Sequence, residues 1–343
     1  MNKVSRDLLI VQVALVLLLS PIRVWGQDRD AKIVEGAKQE AKLVFWGTDL
    51  ARIMAPVLNA FQKKYPFVQP EYWRAGSEQV VEKELSEARA GRHNFDYSSV
   101  DIDTYLETRK AGLMKKYDWP NTKRWDSKYK DPGGYAVARN ILQTVIGYNT
   151  DLVPAAEAPK TWEDVLDPKW KGALSQDKDG YDWVLMLWSA WGKEKAISYL
   201  NRVAKNNPVL GEGSSSRTEM LAAGAFKIDL RLNLNQIRER QKKGAPLQWV
   251  RSNPILEKGT FMFIAARAPH PNAALLFADW LTSPEVQQIY SDIKGQISPD
   301  PTIKGGSAEM AEALKGLNRV FVPLEMGKHT SEAEQIYKQI FWK

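Results

Sequence analysis

The residues with the clearest chemical potential sit in one stretch. Gly211-Glu212-Gly213 is followed by Ser214, Ser215, Ser216 and Arg217, then by a helical pattern running to Gly224. A small-residue loop leading into a helix leaves free backbone N–H groups at the helix start. With hydroxyls beside them, such a start suits an anion or a polar ligand. Taken alone, the same residues read first as a solvated loop with an N-cap. Ser77, after the turn Arg74-Ala75-Gly76, is a second cap, for a helix bearing Val81, Leu85 and Ala88 on one face. Trp183, near the start of a strongly apolar helix, is the one aromatic there placed to meet a ligand; its neighbours Trp188 and Trp191 read as core.

Catalytic patterns are missing. There is no phosphate-binding Gly-x-x-x-x-Gly-Lys-Ser/Thr loop and no Gly-x-Ser-x-Gly elbow. The three histidines, His93, His270 and His329, lack metal-pair spacing. Ser291-Asp292-Ile293-Lys294 matches Ser-x-x-Lys, but its companion Ser-Asp-Asn and Lys-Thr-Gly elements are absent. No two carboxylates are paired by spacing for acid–base work. These absences favour binding over catalysis, with no cofactor and no metal.

An alternating chain positions these residues. Strand patterns at 42–46, 68–73 and 95–100 are interleaved with helical ones, so an α/β domain is expected. Pro70 places the second of these strands at a sheet edge or irregularity. Extended stretches at 136–148 and 247–265 flank a second α/β unit containing the serine stretch.

At the N-terminus, Lys3 and Arg6 precede a nearly uninterrupted apolar run over 8–19, and Val24-Trp25-Gly26 suits signal peptidase. Residues 1–26 therefore read as a cleavable leader, and the apolar run is short for a membrane span. The chain has no cysteine, which excludes disulfides and a lipid-modified cysteine at the cleavage point. Its net charge of +7 is scattered. Export and scatter together argue against nucleic acid. The expected product is a free monomer in the periplasm.

Five segments carry a family resemblance. They are Ala60-Phe61-Gln62-Lys63-Lys64-Tyr65-Pro66; Val145-Ile146-Gly147-Tyr148-Asn149-Thr150; Thr161-Trp162-Glu163-Asp164-Val165-Leu166-Asp167-Pro168-Lys169-Trp170-Lys171-Gly172; Gly244-Ala245-Pro246; and His270-Pro271-Asn272-Ala273-Ala274. In this order the chain resembles, over about 37–297, the periplasmic solute-binding proteins of ATP-binding-cassette (ABC) importers, in the ferric-iron-binding-protein-like branch. The resemblance implies a type 2 periplasmic binding fold: two α/β lobes, two crossing strands, and a small-molecule solute held in the cleft for delivery to permease transmembrane subunits. Lobe boundaries follow at 27–140, a crossing at 141–149, a second lobe at 150–254, and a return crossing with the C-terminal helices at 255–343.

The same resemblance implies cleft residues: Gly47, Thr48, Arg74, Gly76, Ser77, Ser99 and Asp101 from the first lobe. From the second come Ser175, Ser214, Ser215, Ser216, Arg217, Asp229 and Arg231. Arg74 and Arg217 would supply charge-assisted contacts to a carboxylate, phosphate or phosphonate. Ferric members of the branch use two adjacent tyrosines, whose place here is Leu234-Asn235, and no tyrosine occurs from Gly224 to Val250. Only Asp49 replaces the acidic or imidazole ligand near the first strand. The resemblance thus implies a polar or anionic organic solute. Two alternatives are ferric iron with a synergistic anion, using Tyr148 or Tyr181, and an exported hydrolase using the Ser214–Ser216 hydroxyls.

Overall fold

A computed structural model describes residues 25–342. Residues 1–24 of the expected leader lie outside the described residues. The first part of the chain holds α1 (Trp25–Glu40), β1 (Lys42–Gly47), α2 (Ala51–Lys64), β2 (Gln69–Arg74), α3 (Ser77–Arg89), β3 (Tyr97–Asp101) and α4 (Ile102–Lys110). The long strand β4 (Val137–Asn149) leads onward. There follow β5 (Leu174–Asp177), α5 (Tyr181–Trp191), α6 (Lys193–Lys205), β6 (Val209–Gly211), α7 (Ser214–Ala222), β7 (Ile228–Asn233), α8 (Leu234–Gln241) and β8 (Leu247–Trp249). Strand β9 (Ile255–Ile264) returns the chain to α9 (Pro271–Leu281), α10 (Pro284–Lys294), α11 (Gly306–Ala313), β10 (Arg319–Phe321) and α12 (Thr330–Phe341).

Among the described residues the strands form one sheet in the order β2-β1-β3-β9-β4-β7-β5-β6, with β10 beside β9 and β8 beside β4. β1, β2 and β3 run parallel, as do β5, β6 and β7. β4 and β9 lie antiparallel side by side between these groups, and every residue of both is buried. They are the two expected crossings. Pro70 sits in β2, at the end of the sheet, where a missing N–H costs no ladder bond.

Helix burial follows the apolar spacing. In α2, Ile53, Met54, Val57, Leu58 and Phe61 are buried, and Pro56 stands inside the helix rather than breaking it. Phe61 packs on Phe277 and Trp280 of α9. In α5, Trp183 is fully buried against Trp162 and Tyr199. The C-terminal helix differs from its expected place. α12 packs on α5 and α6, and its Tyr337 hydroxyl bonds the Asp177 carbonyl and the Gln176 side chain. The final helix therefore braces the β5–β7 half, although its neighbours in sequence serve the other.

Candidate functional site

The ends of the parallel strands supply the site. β1 ends in Gly47 and continues through Thr48 and Asp49 to Leu50, the N-cap of α2. β2 ends in Arg74 and β3 in Asp101. From the other half, Gly213 caps α7 and Asn233, the last residue of β7, caps α8. In α/β sheets, ligand crevices form at such carboxyl ends.

Between the halves lies a cavity of about 300 Å³. Thr48, Asp49, Leu50, Arg52, Arg74 and Asp101 line it from the β1–β3 side. Gly213, Ser214, Ser215, Asn233, Asn235, Gln236 and Glu239 line it from the other, and Thr260, Lys294 and Gln296 complete it. Three helix N-termini, those of α2, α7 and α8, open on this space. None of the three carries an acidic residue in its first turn. Their partial positive charge is therefore left for an occupant.

Side-chain electrostatics add to this. Arg74 is exposed, and its Nε makes a 3.4 Å bond to the Thr48 carbonyl. Arg52 faces Glu239 across the cavity at 3.7 Å. Asp49 is buried and receives Arg139 at 2.8 Å, Lys294 at 2.6 Å and the Tyr290 hydroxyl. Burial pulls the Asp49 carboxyl upward, but Arg139 and Lys294 outweigh it and hold it at about 2.

Behind the cavity runs a chain of alternating charges. Asp101 accepts from Thr260 at 3.0 Å and meets Lys258 at 3.3 Å. Lys258 reaches Asp182 at 2.6 Å, and Asp182 also binds Arg231. Arg231 contacts Asp177 at 3.0 Å, which meets Arg217 at 3.1 Å. Arg217 then donates to both oxygens of Asp229, at 2.7 and 2.8 Å. Burial would raise the Asp182 carboxyl, yet Arg231 and Lys258 hold it well below the usual carboxylate range.

The expected site residues divide accordingly. Thr48, Arg74, Asp101, Ser214 and Ser215 line the cavity. Ser214 Oγ accepts from the Asn233 N–H at 3.1 Å, so it joins the starts of α7 and α8. The others lie elsewhere. Gly47 is buried, and a Cβ there would meet Ser99 Oγ at 2.9 Å, so it is a packing glycine. Ser99 is buried and accepts from Arg139 at 3.0 Å. Gly76, not Ser77, caps α3; Ser77 Oγ instead accepts from the Asp101 N–H at 2.9 Å. Ser175 is buried in β5 and Trp183 in the core. Ser216 is exposed and off the cavity wall. Arg217, Asp229 and Arg231 are consumed by the ion chain, Arg217 being held by Asp177 and Asp229, and Arg231 by Asp177 and Asp182.

Several lining residues escaped the residue-type reading. Lys294 had appeared only inside an unsupported Ser-x-x-Lys match. Of Leu234-Asn235, the expected place of the ferric tyrosine pair, Asn235 lines the cavity and Leu234 is buried. Neither Tyr148 nor Tyr181 lines the cavity; the Tyr181 hydroxyl donates to Asp179 at 3.2 Å. Among the described residues no cluster of three His, Cys, Asp or Glu side chains is placed to hold a metal.

Comparison with known proteins adds the family context. The model of the bacterial extracellular solute-binding protein family matches residues 57–314. A probable ABC transporter periplasmic-binding protein of Sinorhizobium fredii is 22% identical over 256 residues, covering 70% of each chain. Among solved structures, the periplasmic binding protein AfuA of Actinobacillus pleuropneumoniae, with fructose-6-phosphate bound, superposes with a TM-score of 0.76 at 20% identity. It covers 88% of this chain and 98% of its own. A Trichodesmium protein in complex with iron and citrate gives 0.72 at 16% identity, over 88% and 100%. These likenesses establish the type 2 periplasmic binding fold.

Proposed function

Because this chain belongs to the bacterial extracellular solute-binding protein family, we propose that it captures a small organic anion in the periplasm and delivers it to the membrane permease of an ABC importer. The observation that carries the reading is the convergence on one cavity of three helix N-termini without first-turn acids, together with the exposed Arg74 guanidinium. A carboxylate or phosphate matches both in charge and in hydrogen-bond acceptors. The cavity volume fits a solute of sugar-phosphate size or smaller. Arg52 and Glu239 face each other from opposite sides, and closure around solute would tighten them and present both halves to the permease.

Fold neighbours hold either iron with citrate or a sugar phosphate, so the solute class is read from this chain's own lining. That lining offers no phenol and no imidazole among the described residues, which favours the organic anion over a bare ferric ion. A thermal-shift panel of carboxylates, phosphonates, sugar phosphates, polyamines and ferric salts tests this. Stabilisation by ferric complexes alone would reject the anion.

Arg74→Ala is expected to weaken the stabilising anion by about tenfold, the loss of one charge-assisted hydrogen bond at a partly solvated site. Isothermal titration at two salt concentrations measures it. An affinity unchanged at both would remove Arg74 from the site.

A further inference from the structure

We propose that Lys294 is the specificity-determining cation at the floor of the cleft, contacting the solute's anionic group directly while Asp49 and Tyr290 hold its ammonium in place. The inference rests on the organic-anion reading and names one contact within it. Lys294 is the last residue of α10, and its Nζ stands 2.6 Å from Asp49 Oδ1 and 3.2 Å from the Tyr290 hydroxyl. An ammonium has three N–H donors. Two are directed at these partners, and the residue lines the cavity that Thr48 and Ser214 line.

Charge balance points the same way. Asp49 carries one negative charge and faces two cations, Arg139 at 2.8 Å and Lys294 at 2.6 Å. Its Oδ2 is occupied by Arg139 and by the Tyr290 hydroxyl, and its Oδ1 by Lys294. Three of the roughly four acceptor sites of the Asp49 carboxylate are thus filled, two of them by cations, so little of its charge is left for a cationic solute although it reaches the cavity wall. These three groups keep one positive charge in excess, the next acid, Asp101, being itself paired to Lys258, in a place where Asp49 and Lys294 are 7% and 14% exposed. A shielded cation in excess is stabilised by an anion far more than a solvated one is. The other half of the sheet meets the same residue: Asn235 Nδ2 donates to the Lys294 carbonyl at 3.1 Å. Closure would therefore bring the α8 N-terminus and the Lys294 ammonium to one occupant.

The test uses isothermal titration of the protein from residue 27 onward with inorganic phosphate, sulfate, citrate and fructose 6-phosphate. For whichever probe binds the wild type best, Lys294→Met is expected to lose about 10- to 100-fold in affinity, and Lys294→Arg to stay within about fivefold. Unliganded melting curves separate this from a folding defect. A Lys294→Met protein that melts and binds like wild type overturns the proposal.

A second readout needs no variant. Burial lowers the Lys294 ammonium below the ordinary lysine value, partly offset by Asp49. The groups facing it are Asp49, Arg139, Asp101 and Tyr290. Asp49 is ionised at about 2, while Arg139 and the Tyr290 phenol are both shifted upward. The affinity for sulfate, which does not titrate, should therefore fall as pH rises through the alkaline range, and a flat profile overturns the proposal. Failure of all four probes to bind the wild type would instead reject the organic-anion reading, and this contact with it.

Discussion

Replacing Arg217 with alanine is expected to lower the free energy of unfolding by about 3–5 kcal/mol, the cost of stripping a buried carboxylate of its partner. Arg217 is fully buried. It donates to both oxygens of Asp229, meets Asp177 at 3.1 Å, and bonds the Arg231 carbonyl at 2.8 Å. Removing it leaves Asp229, itself fully buried, without its cation, and Asp177 dependent on Arg231 alone. Because Arg217 does not line the cavity, solute affinity of the folded fraction should stay within about threefold. Urea unfolding followed by tryptophan fluorescence gives the first quantity, and calorimetric titration the second. A tenfold loss of affinity with wild-type stability would put Arg217 in contact with solute and refute this placement. The double variant Arg217→Met/Asp229→Leu, which removes both charges, should recover much of the lost stability.

The contrast between Arg74 and Arg217 shows where sequence reading reaches its limit. Arg74 opens a glycine-containing turn and Arg217 follows a serine-rich one, and both look suited to an anion. What separates them is Asp177 and Asp229, which lie 40 and 12 residues from Arg217 and meet it only after β5 and β7 pair. No local spacing encodes that meeting.

The α/β alternation, the edge position of β2 and the two crossing strands were legible, because Pro70 and long apolar stretches leave local marks, whereas the strand order was not. The resemblance also pointed to the loops that supply Thr48, Arg74, Asp101, Ser214 and Ser215 to the cavity wall. Which side chains enter the cleft was not legible. Ser99 in β3 and Trp183 in α5 are both buried away from it. Lys294 reaches the site from α10 through a contact with Asp49, 245 residues away in sequence. The seat of α12 likewise rests on long-range contacts, with the Tyr337 ring against Tyr181 of α5 and its hydroxyl bonded to Asp177 and Gln176 of β5.

The stability of Glu84→Gln relative to wild type is expected to rise with pH between about 4.5 and 8, by on the order of 5 kcal/mol in all, at 1.36 kcal/mol per pH unit. Glu84 lies on α3 and is fully buried, accepting from Ser98 Oγ and, at 3.4 Å, from Thr108 Oγ1. Burial pushes its carboxyl from 4.5 up to about 8, and the two hydroxyls offset this only in part. The sign follows from which state holds the proton. Below pH 4.5 both states hold it. Between 4.5 and 8 the unfolded chain releases its proton while the folded chain keeps it, so the contribution present at low pH is lost as pH rises through 8. Glutamine fits the same space, keeps an acceptor for Ser98 and does not titrate, so the variant escapes that loss. The depressed carboxyls Asp49 and Asp182 act in a different window, below the ordinary aspartate value, where their stabilisation is lost on acidification. Urea unfolding of both proteins from pH 5 to 9 tests the prediction. Parallel stability curves across that range would show that Glu84 is already ionised in the folded protein, held by a partner other than Ser98 and Thr108.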